Sequence, residues 1–272
     1  MPSLQFFLFR SMMPFLRRSQ SRFKTHDKDA LARFRRRSER LVNITFSLPR
    51  EVSLENSNIG GVPGDWLIPR NALADPVILF LHGGGIVFGW SNSFRRMLAY
   101  TAKFSALRAF GVDYRLAPEH TYPAAHNDCF TVYQTLVQQG KQIVLVGESS
   151  GGVLALATML RARAEDMPQP ALCVLISPTV DYGFQDARIW NSGDVFAHPK
   201  FLVEIHRHYI AGHDTRLPDL GPVYADLSGL APLYVLAAEH DVLRSEAERL
   251  ADAAKRYHLQ MELALWPHVW HG

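Results

Sequence analysis

The apolar run Ile143-Val144-Leu145-Val146 passes without a break into Gly147-Glu148-Ser149-Ser150-Gly151-Gly152, and that turn opens directly into Val153-Leu154-Ala155-Leu156-Ala157-Thr158-Met159-Leu160. A short β-branched run reads as a buried strand and the Ala/Leu-rich stretch as a helix. The chain must therefore reverse within a few residues. Gly147 and Gly151 stand where a Cβ would collide across so tight a turn. A serine at the centre of Gly-x-Ser-x-Gly sits in a strained backbone conformation with its hydroxyl above the sheet edge. Ser and Gly are also ordinary residues at a helix start, so the five residues alone leave a nucleophile and a simple cap both open. The other strand ends have to decide.

The same rhythm repeats along the chain. Apolar strands at 77–81, about 107–114, 171–176, 232–238 and 261–266 are separated by helical patterns at about 93–104, 124–138 and 244–257. Strands alternating with helices of roughly 10–15 residues predict βαβ units, hence an α/β fold with a mostly parallel sheet and helices on both faces. Residues 52–69 shift towards period two, with Gly60-Gly61 and Pro63-Gly64 as turn signals, and predict an antiparallel pair. Between 178 and 222 the rhythm breaks, and Trp190, Phe196, Phe201, Ile205, Tyr209 and Ile210 fall in irregular helices that read as an insertion over the sheet edge. With 272 residues, 47% of them hydrophobic, the chain can bury one large core, so one domain with an insertion is expected.

Charge is uneven. Residues 1–50 carry 12 Lys+Arg against 3 Asp+Glu, which leaves 17 against 23 for the remainder. The basic segment reads as two amphipathic helices over residues 1–45, the first marked by Leu4, Phe7, Leu8, Met12, Phe15 and Leu16, the second by Leu31, Phe34, Ser38 and Leu41. A nucleic-acid arm would want further basic or aromatic partners, and the rest of the chain is net acidic; a solvated face over a larger domain is the preferred reading. The opening apolar run is broken early by Arg10, Arg17 and Arg18, too short and wrongly flanked for a secretory signal or a membrane span. Cys129 and Cys173 both lie in apolar periodic stretches and read as buried free thiols of a reducing compartment. A cytoplasmic protein is expected.

A nucleophilic serine needs a base, a carboxylate that orients the base, and donors for the oxyanion. In an α/β-hydrolase arrangement acid and histidine follow the serine in that order, at the ends of later strands. The strand at 232–238 runs into Glu239-His240-Asp241, and the last strand runs into Trp266-Pro267-His268-Val269-Trp270-His271-Gly272. Either Glu239 or Asp241 could be the acid, and either His268 or His271 the base. Earlier, the strand at 77–81 ends in His82-Gly83-Gly84-Gly85, where consecutive glycines let backbone amides approach a substrate oxygen. No Gly-x-Gly-x-x-Gly opens a helix there, so a dinucleotide site is disfavoured. His206, His208 and His213 lack nearby carboxylates in a metal-ligand pattern.

His82 to Gly85, then Asp113-Tyr114-Arg115-Leu116-Ala117-Pro118-Glu119 with Tyr122-Pro123-Ala124-Ala125, then Gly147 to Gly152, resemble the bacterial hormone-sensitive lipase family of α/β-hydrolases from about residue 50 onward. The resemblance implies an α/β-hydrolase fold with a helical cap: residues 1–45 as N-terminal cap helices, 46–181 and 217–272 as the catalytic core, and 182–216 as the inserted second part of the cap. It implies Ser149 as nucleophile, Asp241 as acid and His271 as base, by alignment of Asp241-Val242-Leu243-Arg244-Ser245-Glu246 and of 266–272 with the family's motifs. Glu239 and His268 remain the alternatives. The implied oxyanion hole comprises Gly83, Gly84, Gly85 and Ser150, with Gly84, Gly85 and Ser150 giving amides, Gly83 shaping the turn and His82 bracing the loop.

The implied activity is hydrolysis of small to medium acyl esters through a serine acyl-enzyme, with no metal and no cofactor. An amide or lactone hydrolase with the same triad, or a non-catalytic ligand-binding member of the fold, is the alternative. The expected partner is a small-molecule ester; no nucleic acid and no stable membrane anchor are expected. The sequence departs from the family at Glu148 and Ser150, where Asp and Ala are usual, so Glu148 is expected to alter the acyl side of the pocket and Ser150 to act through its amide. The family also continues past the histidine with an aromatic residue and a helix, whereas this sequence stops at Gly272. A form with that helix restored is expected to be more stable, and an uncovered apolar face makes a homodimer a compatible state.

Overall fold

The computed structural model describes residues 18, 31–33, 35, 36 and 47–272. The N-terminal helices expected over 1–45 lie for the most part outside the described residues. Residues 31–33 and 35–36 are helical, Leu31 is buried in the main core, and Arg35 donates to Glu119 and to the carbonyls of Val87 and Ala117.

Among the described residues eight strands form one sheet in the order β1-β2-β4-β3-β5-β6-β7-β8. They are β1 (Val52–Ile59), β2 (Val62–Pro69), β3 (Leu73–Leu81), β4 (Leu107–Val112), β5 (Ile143–Glu148), β6 (Leu172–Ile176), β7 (Leu233–Ala238) and β8 (Met261–Trp266). β1 and β2 pair antiparallel, and β2 pairs antiparallel with β4; every later pairing is parallel. Gly60 and Gly61 both have positive φ, 63° and 88°, as a two-residue hairpin turn of the primed type demands. The apolar run expected at 77–81 is the inner part of β3, which begins earlier, at Leu73, through an irregular register shift against β4.

Within residues 47–272 the α-helices are α1 (Asn92–Ser105), α2 (Ala124–Gln138), α3 (Gly151–Ala164), α4 (Pro199–Ile210) and α5 (Arg244–Arg256). Alternation along the strands splits the core. Ile78, Phe80 and Val146 join Leu98, Ala99 and Ala102 of α1 on one face, while Val77, Leu79, Leu81 and Leu145 join α2 and α3 on the other. Residues 151–160 of α3 are all buried, as a helix that is apolar all round requires. α5 is amphipathic and turns Ala247, Leu250 and Ala253 inward.

The insertion between β6 and β7 holds a short 3-10 turn (Ala187–Asn191) and α4. Pro199 supplies a preset first-turn φ, and the ring of His198 accepts the Lys200 amide as a cap. The helix buries Phe201, Leu202, Ile205 and Tyr209 along one stripe. Tyr209 ties it to the core: its hydroxyl lies 2.6 Å from His126 Nδ1, and its carbonyl accepts the Tyr122 amide at 2.9 Å. Among the described residues no helix is long and apolar enough to cross a membrane. Both cysteines are buried and free.

Candidate active site

Parallel strands all end on the same side, so loops from β3, β5, β7 and β8 converge. Ser149 follows β5 and is held at φ 51°, a left-handed conformation that a non-glycine residue adopts only under constraint. The constraints are visible: its amide donates to the Ile176 carbonyl at 2.9 Å, and its own carbonyl accepts the amides of Gly152 and Thr179, each at 2.9 Å. A Cβ at Gly147 would lie 2.5 Å from the Gly151 carbonyl oxygen, and one at Gly151 would lie 2.0 Å from that of Leu81. The first clash is across the turn, as expected; the second is with the neighbouring strand.

Ser149 Oγ lies 3.0 Å from His271 Nε2, and His271 Nδ1 lies 2.9 Å from Asp241 Oδ1. An ionised carboxylate only accepts, so Nδ1–H donates to Asp241 and the Nε2 lone pair faces the serine hydroxyl. All three residues are buried. Burial alone would make His271 less basic, but the Asp241 carboxylate outweighs it and raises the imidazole above its ordinary value, with Glu148 and Asp194 adding to the effect. Burial would likewise raise Asp241, and the His271 charge and hydrogen bond hold it below the usual carboxylate range.

The two alternatives sit elsewhere. The His268 side chain is 89% exposed with Nδ1 3.6 Å from Glu239 Oε2, and that same carboxylate oxygen accepts the His268 amide at 2.9 Å. The pair closes the surface turn after β8.

In the loop after β3, His82 is fully buried, stacked on Tyr114 with ring centroids 4.1 Å apart, and its Nδ1 lies 2.7 Å from the Gly83 carbonyl. Burial pushes this imidazole down to about 4, so it stays neutral. The Tyr114 hydroxyl donates to the His82 carbonyl at 2.7 Å. Gly84 and Gly85 take φ values of 99° and 64°. The Gly85 amide donates to Ser150 Oγ at 2.9 Å, while the amides of Gly84 and Ser150 have no acceptor among the described residues. Ser150 therefore engages the loop through its side chain as well. Its carbonyl accepts the Tyr182 hydroxyl at 2.8 Å. Ile205 of α4 lies directly over Gly85, where a Cβ would come within 2.2 Å of its Cδ1.

Glu148 is buried against the same loop: a Cβ at Gly83 would lie 1.9 Å from its Oε2, and one at Gly272 would lie 3.6 Å from its Oε1. Burial pushes its carboxyl up to about 7, with the nearby His271 charge opposing the rise.

One participant has no signature in the sequence. Asp194, fully buried in the insertion, accepts the His271 amide at 3.1 Å and the Val242 amide at 2.9 Å on Oδ2, and the amides of Phe196 and Ala197 at 2.7 and 2.9 Å on Oδ1. An Asp before Val-Phe-Ala signals a local turn. Its partners 48 and 77 residues onward leave no mark nearby.

Residues 78–272 match a family model described as the alpha/beta hydrolase fold. An acetyl-hydrolase of Streptomyces hygroscopicus is 29% identical over 245 residues, covering 82% of each chain. An esterase of Acinetobacter venetianus is 30% identical over 227 residues, covering 81% of this chain and 75% of its own. The crystal structure of a hormone-sensitive lipase from a metagenome library superposes with a TM-score of 0.87 at 32% identity, covering 96% of this chain and 89% of that one. With eight strands in this order and these strand-end residues, the chain belongs to the α/β-hydrolase fold family and, within it, to the bacterial hormone-sensitive lipase family of esterases.

Proposed function

We propose that the protein is a carboxylesterase that cleaves small to medium acyl esters through a serine acyl-enzyme, with Ser149, His271 and Asp241 as its triad. The observation that carries this reading is the pair of short contacts, 3.0 Å from Ser149 Oγ to His271 Nε2 and 2.9 Å from His271 Nδ1 to Asp241 Oδ1. His271 takes the serine proton as Oγ bonds to the ester carbonyl carbon; the C=O electron pair moves to oxygen and forms the oxyanion. As the intermediate collapses, the imidazolium gives its proton to the departing alcohol and the acyl group stays on Ser149. Water then repeats both steps and releases the acid.

The oxyanion donors in this reading are the amides of Gly84 and Ser150. The Gly85 amide is committed to Ser150 Oγ, and Gly83 shapes the turn against Glu148. Each oxyanion donor contributes roughly two to three orders of magnitude in turnover. Residues 182–216, with the N-terminal segment 1–45, act as the cap. Its Ile205 over Gly85 and Phe201 beside Phe88, ring centroids 6.2 Å apart, give an apolar roof suited to short acyl chains. The relatives named acetyl-hydrolase and esterase support the same substrate class.

The test is a panel of p-nitrophenyl esters assayed with the wild type, Ser149→Ala, His271→Ala and His268→Ala. Loss of roughly 10⁴-fold or more in kcat is expected for the first two variants and near-wild-type turnover for the third. Undiminished hydrolysis by Ser149→Ala would end the proposal, and loss in His268→Ala alone would move the base.

A further inference from the structure

Outside the serine's chain of hydrogen bonds, the ends of β7 and β8 bring three metal-ligating side chains together. Glu239 Oε2 lies 3.6 Å from His268 Nδ1 and 4.0 Å from His240 Nε2, and the three donor atoms all lie within 4.8 Å of one another. We propose that Glu239, His240 and His268 form a binding site for one divalent first-row transition-metal ion of the zinc type.

The donor set selects the ion. Two imidazoles and one carboxylate suit zinc, nickel or copper, whereas magnesium and calcium prefer all-oxygen shells. The spacing fits as well. Zinc bonds of about 2.0–2.2 Å to nitrogen and oxygen in a tetrahedron set neighbouring donors roughly 3.4 Å apart. The two separations from Glu239, 3.6 and 4.0 Å, need to close by about 0.2 and 0.6 Å, and the two imidazole donors, within 4.8 Å of one another, by at most about 1.4 Å. His240 and His268 have side chains 52% and 89% exposed, so their rings are free to swing by that amount.

The backbone beneath the three residues is already fixed. The Glu239 amide donates to the Trp266 carbonyl at 2.9 Å, the His240 amide to the Val269 carbonyl at 3.0 Å, and the His268 amide to Glu239 Oε2 at 2.9 Å. That last bond on its own would make Glu239 a cap for the turn after β8. It accounts for the carboxylate but not for the convergence of both imidazoles on it. Both histidines also line a cavity of about 490 Å³ with Gly193, Val195 and Trp270, which leaves room for water or an outside ligand to complete the coordination.

The consequence is mechanical. Glu239 and His240 directly precede Asp241, and His268 lies three residues before His271. An ion bound here ties together the two segments that carry the acid and the histidine, while taking no part in the serine chemistry itself.

The test uses the full, tag-free chain after EDTA treatment, titrated with ZnCl₂ by calorimetry and with CoCl₂ by visible absorption. One Zn²⁺ per chain is expected, with a rise of about 5 °C or more in Tm at saturating zinc and a Co²⁺ d–d band of inner-sphere ligation. Affinity should fall at least tenfold in His240→Ala, in His268→Ala and in the shape-conserving Glu239→Gln, and should be unchanged in His258→Ala, on a separate turn. Absence of saturable Zn²⁺ binding up to about 1 mM, or the same affinity in wild type, His240→Ala and His268→Ala, would overturn the site.

Discussion

The hydroxyl of Ser150 accepts the amide of Gly85 at 2.9 Å and so binds the residue after the nucleophile to the third glycine of the loop after β3. Both groups are buried. Ser150→Ala leaves that N–H without an acceptor, a loss of about 1–3 kcal/mol. For a chain of this size Tm should fall by roughly 2–8 °C. The substitution keeps the Ser150 backbone amide, so kcat on p-nitrophenyl acetate should stay within a few-fold of wild type. Thermal melts and initial rates check both parts; an unchanged Tm would show the contact to be energetically idle.

Glu148 makes stability depend on pH. Burial raises its carboxyl from an ordinary 4.5 to about 7 in the folded chain. A folded-state pKa above the unfolded one means the group's stability is fully present below pH 4.5 and is lost as pH rises through 7. Glu148→Gln is neutral throughout, so its advantage over wild type should open between pH 4.5 and 7 and reach on the order of 3 kcal/mol at pH 8. Urea denaturation at pH 4.5 and pH 8 measures this, and an identical difference at both values would refute it.

The same substitution bears on the base. His271 must be neutral to accept the serine proton, so kcat/KM should rise with pH through an apparent pKa above that of free imidazole, because Asp241 and Glu148 both stabilise the imidazolium. Removing the Glu148 charge should move that limb to lower pH. A limb that stays in place in Glu148→Gln would show that the two groups do not communicate.

Two glycines separate crowding from backbone conformation. Gly151 opens α3 without a positive φ, yet a Cβ there would fall 2.0 Å from the Leu81 carbonyl oxygen, and a strand carbonyl cannot step aside. Gly61 has φ 88° and nothing within 4 Å of its Cβ position. Gly151→Ala should destabilise by about 3 kcal/mol or more through overpacking, and Gly61→Ala by about 1–2 kcal/mol through the left-handed conformation alone. Equal unfolding midpoints for the two variants would contradict this ordering.

The parallel strands were legible because each is a continuous apolar run ending at a turn signal, and because βαβ connection leaves little freedom in their order. The converging loops were legible for the same reason, since parallel strands must end together. What resisted reading was anything fixed by distance across the fold. Leu73 pairs with Leu107 through a register shift that the Asp75-Pro76 break conceals. Ser150 looked like an amide donor alone, because the bond between its side chain and Gly85 spans 65 residues. Spacing left Glu239 and Asp241 equivalent at the end of β7; in three dimensions one turns outward to His268 and the other inward to His271.

Asp194 is the sharpest case, and its removal gives the most direct test of how His271 is held. Its buried carboxylate fixes the His271 and Val242 amides through one oxygen and its own loop through the other. The two segments that bear His271 and Asp241 are thus held by a third that contributes nothing to the proton path. Asp194→Asn keeps the shape but turns one accepting oxygen into a donor that faces amides. Asp194→Ala removes all four acceptor contacts and should lower stability by about 3 kcal/mol. Misplacing a catalytic group by about 1 Å loses roughly 10²-fold in rate, so kcat in both variants should fall by about 10- to 100-fold while KM changes little. Steady-state kinetics below the melting transition separate the two effects. A lowered Tm with wild-type kcat would make Asp194 a scaffold residue only, and a raised KM with unchanged kcat would place its influence on the substrate pocket instead of on His271.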